Sequence, residues 1–240
     1  MKKIDAHAHV GYFGGWADVG LTAEQMVRAM DQHEIERTVI SYMDTTVTEE
    51  AVRQFPSRFT GLIWVNPYEG EQALVLAERL IREQGFKGIK LHPLLNAFTA
   101  NDAVVHPVME LAEQLNVPVF VHSGHPPFSL PHSIVQLAQD FPSVPVVMVH
   151  MGHGNGIYIQ AALDLSKKTD NVYLETSGMP MHTKIREAYN TVGHERIFWG
   201  SDAPFHLYEV EMLRTQLCGL DDKALEKIFY TNIHTFLHLD

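Results

Sequence analysis

The feature that most constrains this chain is an alternation. Short β-branched runs recur along its whole length, and stretches with helical periodicity separate them. The strand candidates are Ile4–Val10, Arg37–Tyr42, Phe59–Val65, Gly88–His92, Val117–His122, Val144–Val149, Val172–Glu175 and Arg196–Gly200. Amphipathic stretches between them include Leu21–His33, Glu71–Gln84, Ala103–Leu115 and His132–Asp140. Thr22 with Gln25 reads as a capping box, and Gly85 stands where a helix would stop. Parallel strands need crossovers long enough to hold a helix. Eight such units predict an α/β fold, and its usual closed form is the (β/α)8 or TIM barrel of about 250 residues. The 240 residues therefore predict a single domain over 1–240, with no Pro/Gly/Ser linker to divide it. An open doubly wound sheet is the alternative. No Gly-x-Gly-x-x-Gly follows the first strand, which weakens a dinucleotide-binding version. Gly11, Gly14, Gly15 and Gly20 read as a glycine-bearing loop without phosphate-cradle spacing.

The 15 histidines are an excess, and histidine is the commonest metal ligand. Their placement matters more than their number. Strand side chains alternate faces with period 2, and in a barrel the inward face opens at its C-terminal end on the active-site mouth. Asp5, His7 and His9 share one face of the first strand, and Lys90 with His92 share one face of the fourth. His122, His150 and Asp202 fall at the inward ends of the fifth, sixth and eighth. One histidine at a strand end is commonly a satisfied polar residue, but coincident strand ends are not random scatter. Two histidines at i and i+2 project from one face, so His7 and His9 can reach one cation. Two imidazoles, a third from another strand and one carboxylate suit zinc first, with manganese, iron or nickel admitted by the same donors. The lone Cys218 excludes a four-cysteine structural zinc site and any intrachain disulfide. A reducing compartment, the cytoplasm, is the natural setting.

Lys and Arg number 18 against 29 for Asp and Glu, a net charge of −11. An acidic chain without a basic cluster is a poor partner for a phosphate backbone, so no nucleic acid is expected. No apolar run approaches the roughly 20 residues that cross a bilayer, and no apolar segment follows Lys2 and Lys3 as in a signal peptide, so no membrane partner is expected.

The segments Asp5-Ala-His-Ala-His9, Gly88-Ile-Lys-Leu-His-Pro93, Val121-His-Ser-Gly124, Val149-His-Met-Gly152 and Trp199-Gly-Ser-Asp-Ala-Pro204 together resemble the amidohydrolase superfamily. The likeness is to the amidohydrolase-related branch that includes aminocarboxymuconate semialdehyde decarboxylase, and it spans nearly the whole chain. It implies that His7, His9 and His122 are metal ligands. Asp202 would be a ligand or neighbour of the metal and the base that handles its water. His150 would polarise the substrate or shuttle a proton, or serve as a ligand in binuclear relatives. His153 departs from the glycine-rich stretch common in relatives and is expected to be an extra polar group in the pocket.

These parts predict a metal-dependent hydrolase. A bound dication lowers the pKa of its water from 15.7 to about 7, which provides hydroxide for an amide, ester or lactone. The alternative on the same site is a non-oxidative decarboxylase. A non-catalytic metal- or ligand-binding barrel is the third reading. Lys90, His92 and His125 are the expected holders of one substrate carboxylate. Trp16, with Tyr12 and Phe13 on the first strand-to-helix loop, is expected to wall the pocket or to pack on the next helix. The expected partner is a small molecule. A homodimer is open, with no unambiguous interface stripe in the sequence.

Overall fold

The computed structural model describes residues 1–239. Along the chain run β1 (Lys3–Ala8), β2 (Gly11–Phe13), β3 (Val19–Leu21), α1 (Ala23–Gln32), β4 (Ile35–Ile40), α2 (Thr45–Gln54), β5 (Phe59–Gly61), β6 (Ile63–Trp64), α3 (Glu71–Gln84), β7 (Ile89–Leu91) and α4 (Pro93–Asn96). Then follow α5 (His106–Leu115), β8 (Val119–His122), α6 (Pro131–Asp140), β9 (Val146–Val149), α7 (Gly156–Ser166), β10 (Val172–Glu175), α8 (His182–Thr191), β11 (Ile197–Phe198), α9 (Tyr208–Gln216), α10 (Asp222–Glu226) and α11 (Asn232–Phe236). The chain forms two compact units. One comprises Met1–Gly61 with the segment from Glu175 onward, and the other comprises Leu62–Leu174.

In the first unit, β1 pairs in parallel with β4, and β4 with β5. On its other side β1 is joined to the residue after β11, where the Ala6 N–H donates to the Trp199 carbonyl at 3.0 Å. Every residue of β1 is buried, so its polar side chains must find partners inside the protein. Helix α1 packs Ala23, Met26 and Met30 inward, and the Thr22–Gln25 capping box is present in full. The glycine-bearing loop of the sequence analysis is an antiparallel hairpin, β2 with β3. Its glycines permit the close approach: a Cβ on Gly20 would stand 2.7 Å from the Gly11 carbonyl oxygen. A three-residue strand too short for a visible period-2 pattern left no signal.

In the second unit, β6, β7, β8, β9 and β10 pair in parallel in that order. Strands β8 and β9 are buried at every position. That matches their near-continuous valine runs, since parallel strands are covered on both faces. Helix α3 spans the expected residues and stops at Gly85, whose φ of 71° is the left-handed cap conformation. The expected Phe59–Val65 strand is interrupted at Leu62, which separates β5 from β6. Among the described residues no helix is long and apolar enough to cross a membrane.

Candidate functional site

In the first unit, β1 and the turn after β11 build a trio. The Nε2 atoms of His7 and His9 each lie 3.3 Å from Asp202 Oδ1. The three ligand atoms fall within 4.8 Å of one another, and all three residues are buried. The i, i+2 spacing on a strand brings the two imidazoles together, edge to face at 4.6 Å. Backbone bonds fix the carboxylate against them: Asp202 N–H donates to the His7 carbonyl at 2.8 Å, and His9 N–H to the Ala203 carbonyl at 2.7 Å. Asp202 has a φ of 54°, a left-handed conformation that non-glycine residues seldom adopt and that clusters at functional sites.

The geometry of His9 tests the fit of a cation. Its Nδ1 is 2.8 Å from the Ser41 carbonyl. A carbonyl only accepts, so Nδ1 carries a proton and Nε2 is the ring nitrogen that faces Asp202. Two imidazole nitrogens and a carboxylate oxygen that converge at this range make a donor set suited to a divalent cation. A carbonyl behind a ligating histidine is also the usual means of fixing tautomer and ring orientation at metal sites.

Asp5 ties this arrangement together from beneath. Its carboxylate accepts from the His7 N–H at 3.1 Å, the Ser201 N–H at 2.9 Å and the Ser201 hydroxyl at 2.5 Å. Burial pushes the Asp5 carboxyl up to about 7, against the pull of those donors, and the charge of Asp202 adds to the rise. Beside the trio stand aromatic rings. His9 meets Phe13 at 5.5 Å and Phe205 at 5.8 Å, and Trp16, 83% exposed, stacks on Phe205 at 6.1 Å with the planes 16° apart. Trp16 therefore packs on Phe205, in the segment after β11, and leaves its outer face open. Nearby, His206 Nδ1 lies 3.1 Å from the buried Glu211 carboxylate, whose hydrogen bond raises the imidazole pKa. The largest cavity described in this unit, about 610 Å³, runs along Tyr12, Leu21, Gln25, Val47 and Gln54. It touches none of the trio, so the chemistry is not assigned to it.

The second unit gathers a different cluster. Ligand atoms of His122, His150 and His153 also lie within 4.8 Å of one another. Trp64, His92, His122 and His125 form a continuous stack, with centroids 5.1, 3.9 and 4.9 Å apart. His122 Nε2 and His125 Nδ1 share a 2.8 Å hydrogen bond. Burial first, then the neighbouring His92, His150, Lys90 and His153, drives the His122 pKa well down, and burial lowers that of His125. Lys90 is fully buried in β7. Ser123 fixes the turn that carries His150: its hydroxyl donates to the Val149 carbonyl at 2.5 Å and accepts from the Gly152 N–H at 2.8 Å. Gly124, at φ 95°, admits His153, whose carbonyl oxygen would stand 2.2 Å from an added Cβ.

The structure thus brings His7, His9 and Asp202 together in one unit, and His92, His122, His125, His150 and His153 together in the other. Sequence reasoning assigned no role to the Ser41 carbonyl, Asp5, Ser123, Ser201 or Glu211. Ser201 lay inside a recognised motif, and Asp5 lay on the face of His7 and His9, so both carried a signal.

The family model described as Amidohydrolase matches residues 4–239. The γ-resorcylate decarboxylase of Polaromonas sp. (strain JS666 / ATCC BAA-500) is 23% identical over 76% of this chain and 77% of its own. Among solved structures, the chain is similar to dihydroxybenzoic acid decarboxylase from Polaromonas sp. JS666 with bound manganese and the inhibitor 2-nitroresorcinol. That likeness has a TM-score of 0.75 at 19% identity, over 99% of this chain and 97% of that one. It is also similar to a probable 2-pyrone-4,6-dicarboxylic acid hydrolase from Acinetobacter baumannii with citric acid bound, with a TM-score of 0.77 at 22% identity over the whole of both chains. The expected α/β architecture is therefore the right one: the fold is the (β/α)8 barrel. The chain belongs to the amidohydrolase family.

Proposed function

We propose that this chain is a metal-dependent decarboxylase, a lyase, acting on a small hydroxylated aromatic acid. The observation that carries the reading is the aromatic wall beside His9, formed by Phe13, Phe205 and Trp16. A planar ring fits against such faces by offset stacking or edge contact. The relatives support it, since the named decarboxylases act on dihydroxybenzoates and one holds manganese with a planar nitroresorcinol. The hydrolase expected from the sequence has the pyrone hydrolase on its side and is the weaker reading.

His7, His9 and Asp202 would hold the divalent ion, manganese as in that relative or zinc as the donor set suggests. The sequence motifs add His122 to its ligands and make His150 a proton shuttle, and both assignments rest on those motifs alone. When bound, the ion supplies positive charge that orients the oxygen donors of the substrate. Asp202 would deliver a proton to the ring carbon that bears the carboxylate. The bond from that carbon to the carboxyl then breaks, its electron pair restores the ring, and carbon dioxide leaves. Asp202 regains its proton from water. Trp16 offers its open face to the ring. Lys90 and His92, read from their strand, and His125 and His153, read from the segments after theirs, keep the substrate-binding roles expected of them. The lone, buried Cys218 fits a reducing cytoplasm.

The test is direct. Protein loaded with manganese is given 2,6-dihydroxybenzoate, and carbon dioxide and resorcinol are measured together. Equal release of the two, abolished by Asp202→Asn, is the expected result. Turnover of a pyrone dicarboxylate to a ring-opened acid without carbon dioxide, and none of the benzoate, would return the protein to the hydrolases.

A further inference from the structure

A hollow on the first unit gathers positive charge in a chain whose net charge is −11. Its volume is about 520 Å³, and it lies between α8 and the segment that runs from Gly219 through α10. Arg186 of α8, Lys223 of α10 and Lys227, just past α10, all line it. Elsewhere the chain matches cations to carboxylates, as in Lys2 with Glu36, Arg58 with Asp31 and Lys184 with Glu187. Among the described residues, no carboxylate pairs with Arg186, Lys223 or Lys227, and their side chains make no hydrogen bond. One acid, Asp221, shares the lining, and it is engaged as the cap of α10, accepting from the Ala224 N–H at 2.9 Å. The guanidinium of Arg186 has a place prepared for it. Gly219 has a φ of 87°, and a Cβ added there would stand 2.5 Å from Arg186 Nη1. A side chain at 219 would be strained and would fill the position that the guanidinium takes. The rings of Tyr189 and His194, with centroids 5.5 Å apart, complete the lining. The His194 carbonyl accepts from Asn232 Nδ2 at 2.8 Å, which ties that side of the hollow to the buried Asn232.

We propose that this hollow is a binding site for a small phosphomonoester. A guanidinium fork beside two ammonium groups suits a phosphate dianion, the fork by paired hydrogen bonds and the lysines as point charges. Three cations against the single charge of Asp221 leave the lining positive, so a bound dianion offsets charge that the chain itself does not pair. The volume falls in the range of small-molecule sites, about 300–1,000 Å³. A long polyanion is a poorer occupant, because the net negative charge of the rest of the chain repels it. The site is separate from the metal centre: His7, His9 and Asp202 take no part in its lining.

Isothermal titration calorimetry with inorganic phosphate tests it, on the full chain in about 150 mM sodium chloride, which screens weak surface attraction. The variants are Arg186→Gln, Lys227→Gln, His7→Ala/His9→Ala and, as the control for loss of one charge, Lys167→Gln, which is paired with Asp164. One phosphate per chain is expected to bind the wild type, Lys167→Gln and His7→Ala/His9→Ala with the same affinity. Arg186→Gln and Lys227→Gln are each expected to raise the dissociation constant at least ~10-fold, the loss of one charge-assisted hydrogen bond. Arg186 is exposed, so its substitution keeps the test open if Lys227→Gln fails to fold. Succinate, which divides its two charges between separate carboxylates, is expected to bind at least ~10-fold more weakly than phosphate. The proposal is overturned by no phosphate binding up to ~10 mM, by an affinity that Arg186→Gln leaves unchanged, by an equal loss in Lys167→Gln, or by succinate binding as tightly. Binding lost in His7→Ala/His9→Ala would place the phosphate on the metal centre and overturn it as well.

Discussion

The two units carry two clusters of the same residue type and opposite electrostatic character. In the first, two histidines face a carboxylate, with a second carboxylate, Asp5, beneath them. In the second, histidines face histidines, and the buried Lys90 acts on His122 with them. The carboxylates of the first match a cation's charge, whereas the second offers imidazole nitrogens with no carboxylate among its grouped ligand atoms. The same imidazole therefore does two jobs. Next to Asp202 it converges with a carboxylate, and around His122 burial and its neighbours push it toward the neutral form. A histidine count points to both clusters equally, and only the presence of a carboxylate separates them.

The largest effect expected from that contrast is on metal content. His7→Ala/His9→Ala should abolish retention of manganese by the metal-loaded, dialysed protein and reduce decarboxylation to background. His153→Ala should leave the retained metal at the wild-type level. Plasma mass spectrometry reads both. Equal loss in the two variants would erase the distinction between the clusters.

Next in size is pH dependence, and the two clusters should show opposite signs. The Asp5 carboxyl is raised to about 7, so between about 4 and 7 the native state binds more protons than the unfolded state. Its contribution is present at low pH and is lost as pH rises through 7. A rise of this size corresponds to roughly 4 kcal/mol at most. The His122 pKa is lowered, so the unfolded state binds more protons below 6.5, and stability falls as pH drops from there. Melting temperatures of metal-stripped protein across pH 5 to 8 test this. Asp5→Asn should flatten the alkaline limb and His122→Asn the acid limb. If both variants flattened the same limb, one of the two assignments would be wrong.

Much of this was legible in the sequence, and for physical reasons. The i, i+2 histidines declare a strand face because strand geometry has a period of two. The capping box and the glycine stop declare helix ends because they satisfy local backbone groups. Partners far apart in sequence were not legible. Ser201 and Asp5 are 196 residues apart, and the acceptor that orients His9 is the Ser41 carbonyl, a backbone atom with no residue signature. The outer face of α9 was hidden because its exposed Val210, Leu213 and Leu217 recur at the spacing of a buried stripe, while Tyr208, Glu211 and Thr215 face inward. The choice between hydrolysis and decarboxylation was not legible because the same ligands serve both, and the relatives favour the decarboxylase that the sequence reading held as its alternative.

The smallest expected effect separates the clusters by their serines. Each cluster hangs on one buried hydroxyl. Ser123 donates to the Val149 carbonyl and accepts from the Gly152 N–H. Ser201 donates to Asp5 and accepts from the Ala203 N–H at 3.0 Å. Ser123→Ala removes the hydroxyl from two neutral backbone groups and should cost about 1–3 kcal/mol, unchanged between pH 6 and 8. Ser201→Ala takes a donor from a carboxylate that can respond by keeping its proton. Its cost should be near the low end of that range at pH 6 and should grow by pH 8, where the less-supported charge must form. Urea unfolding of the metal-stripped variants at the two pH values measures both. A pH-independent cost for Ser201→Ala would mean that its hydroxyl does not stabilise the Asp5 charge, and the contrast between a charged and a neutral support would fail.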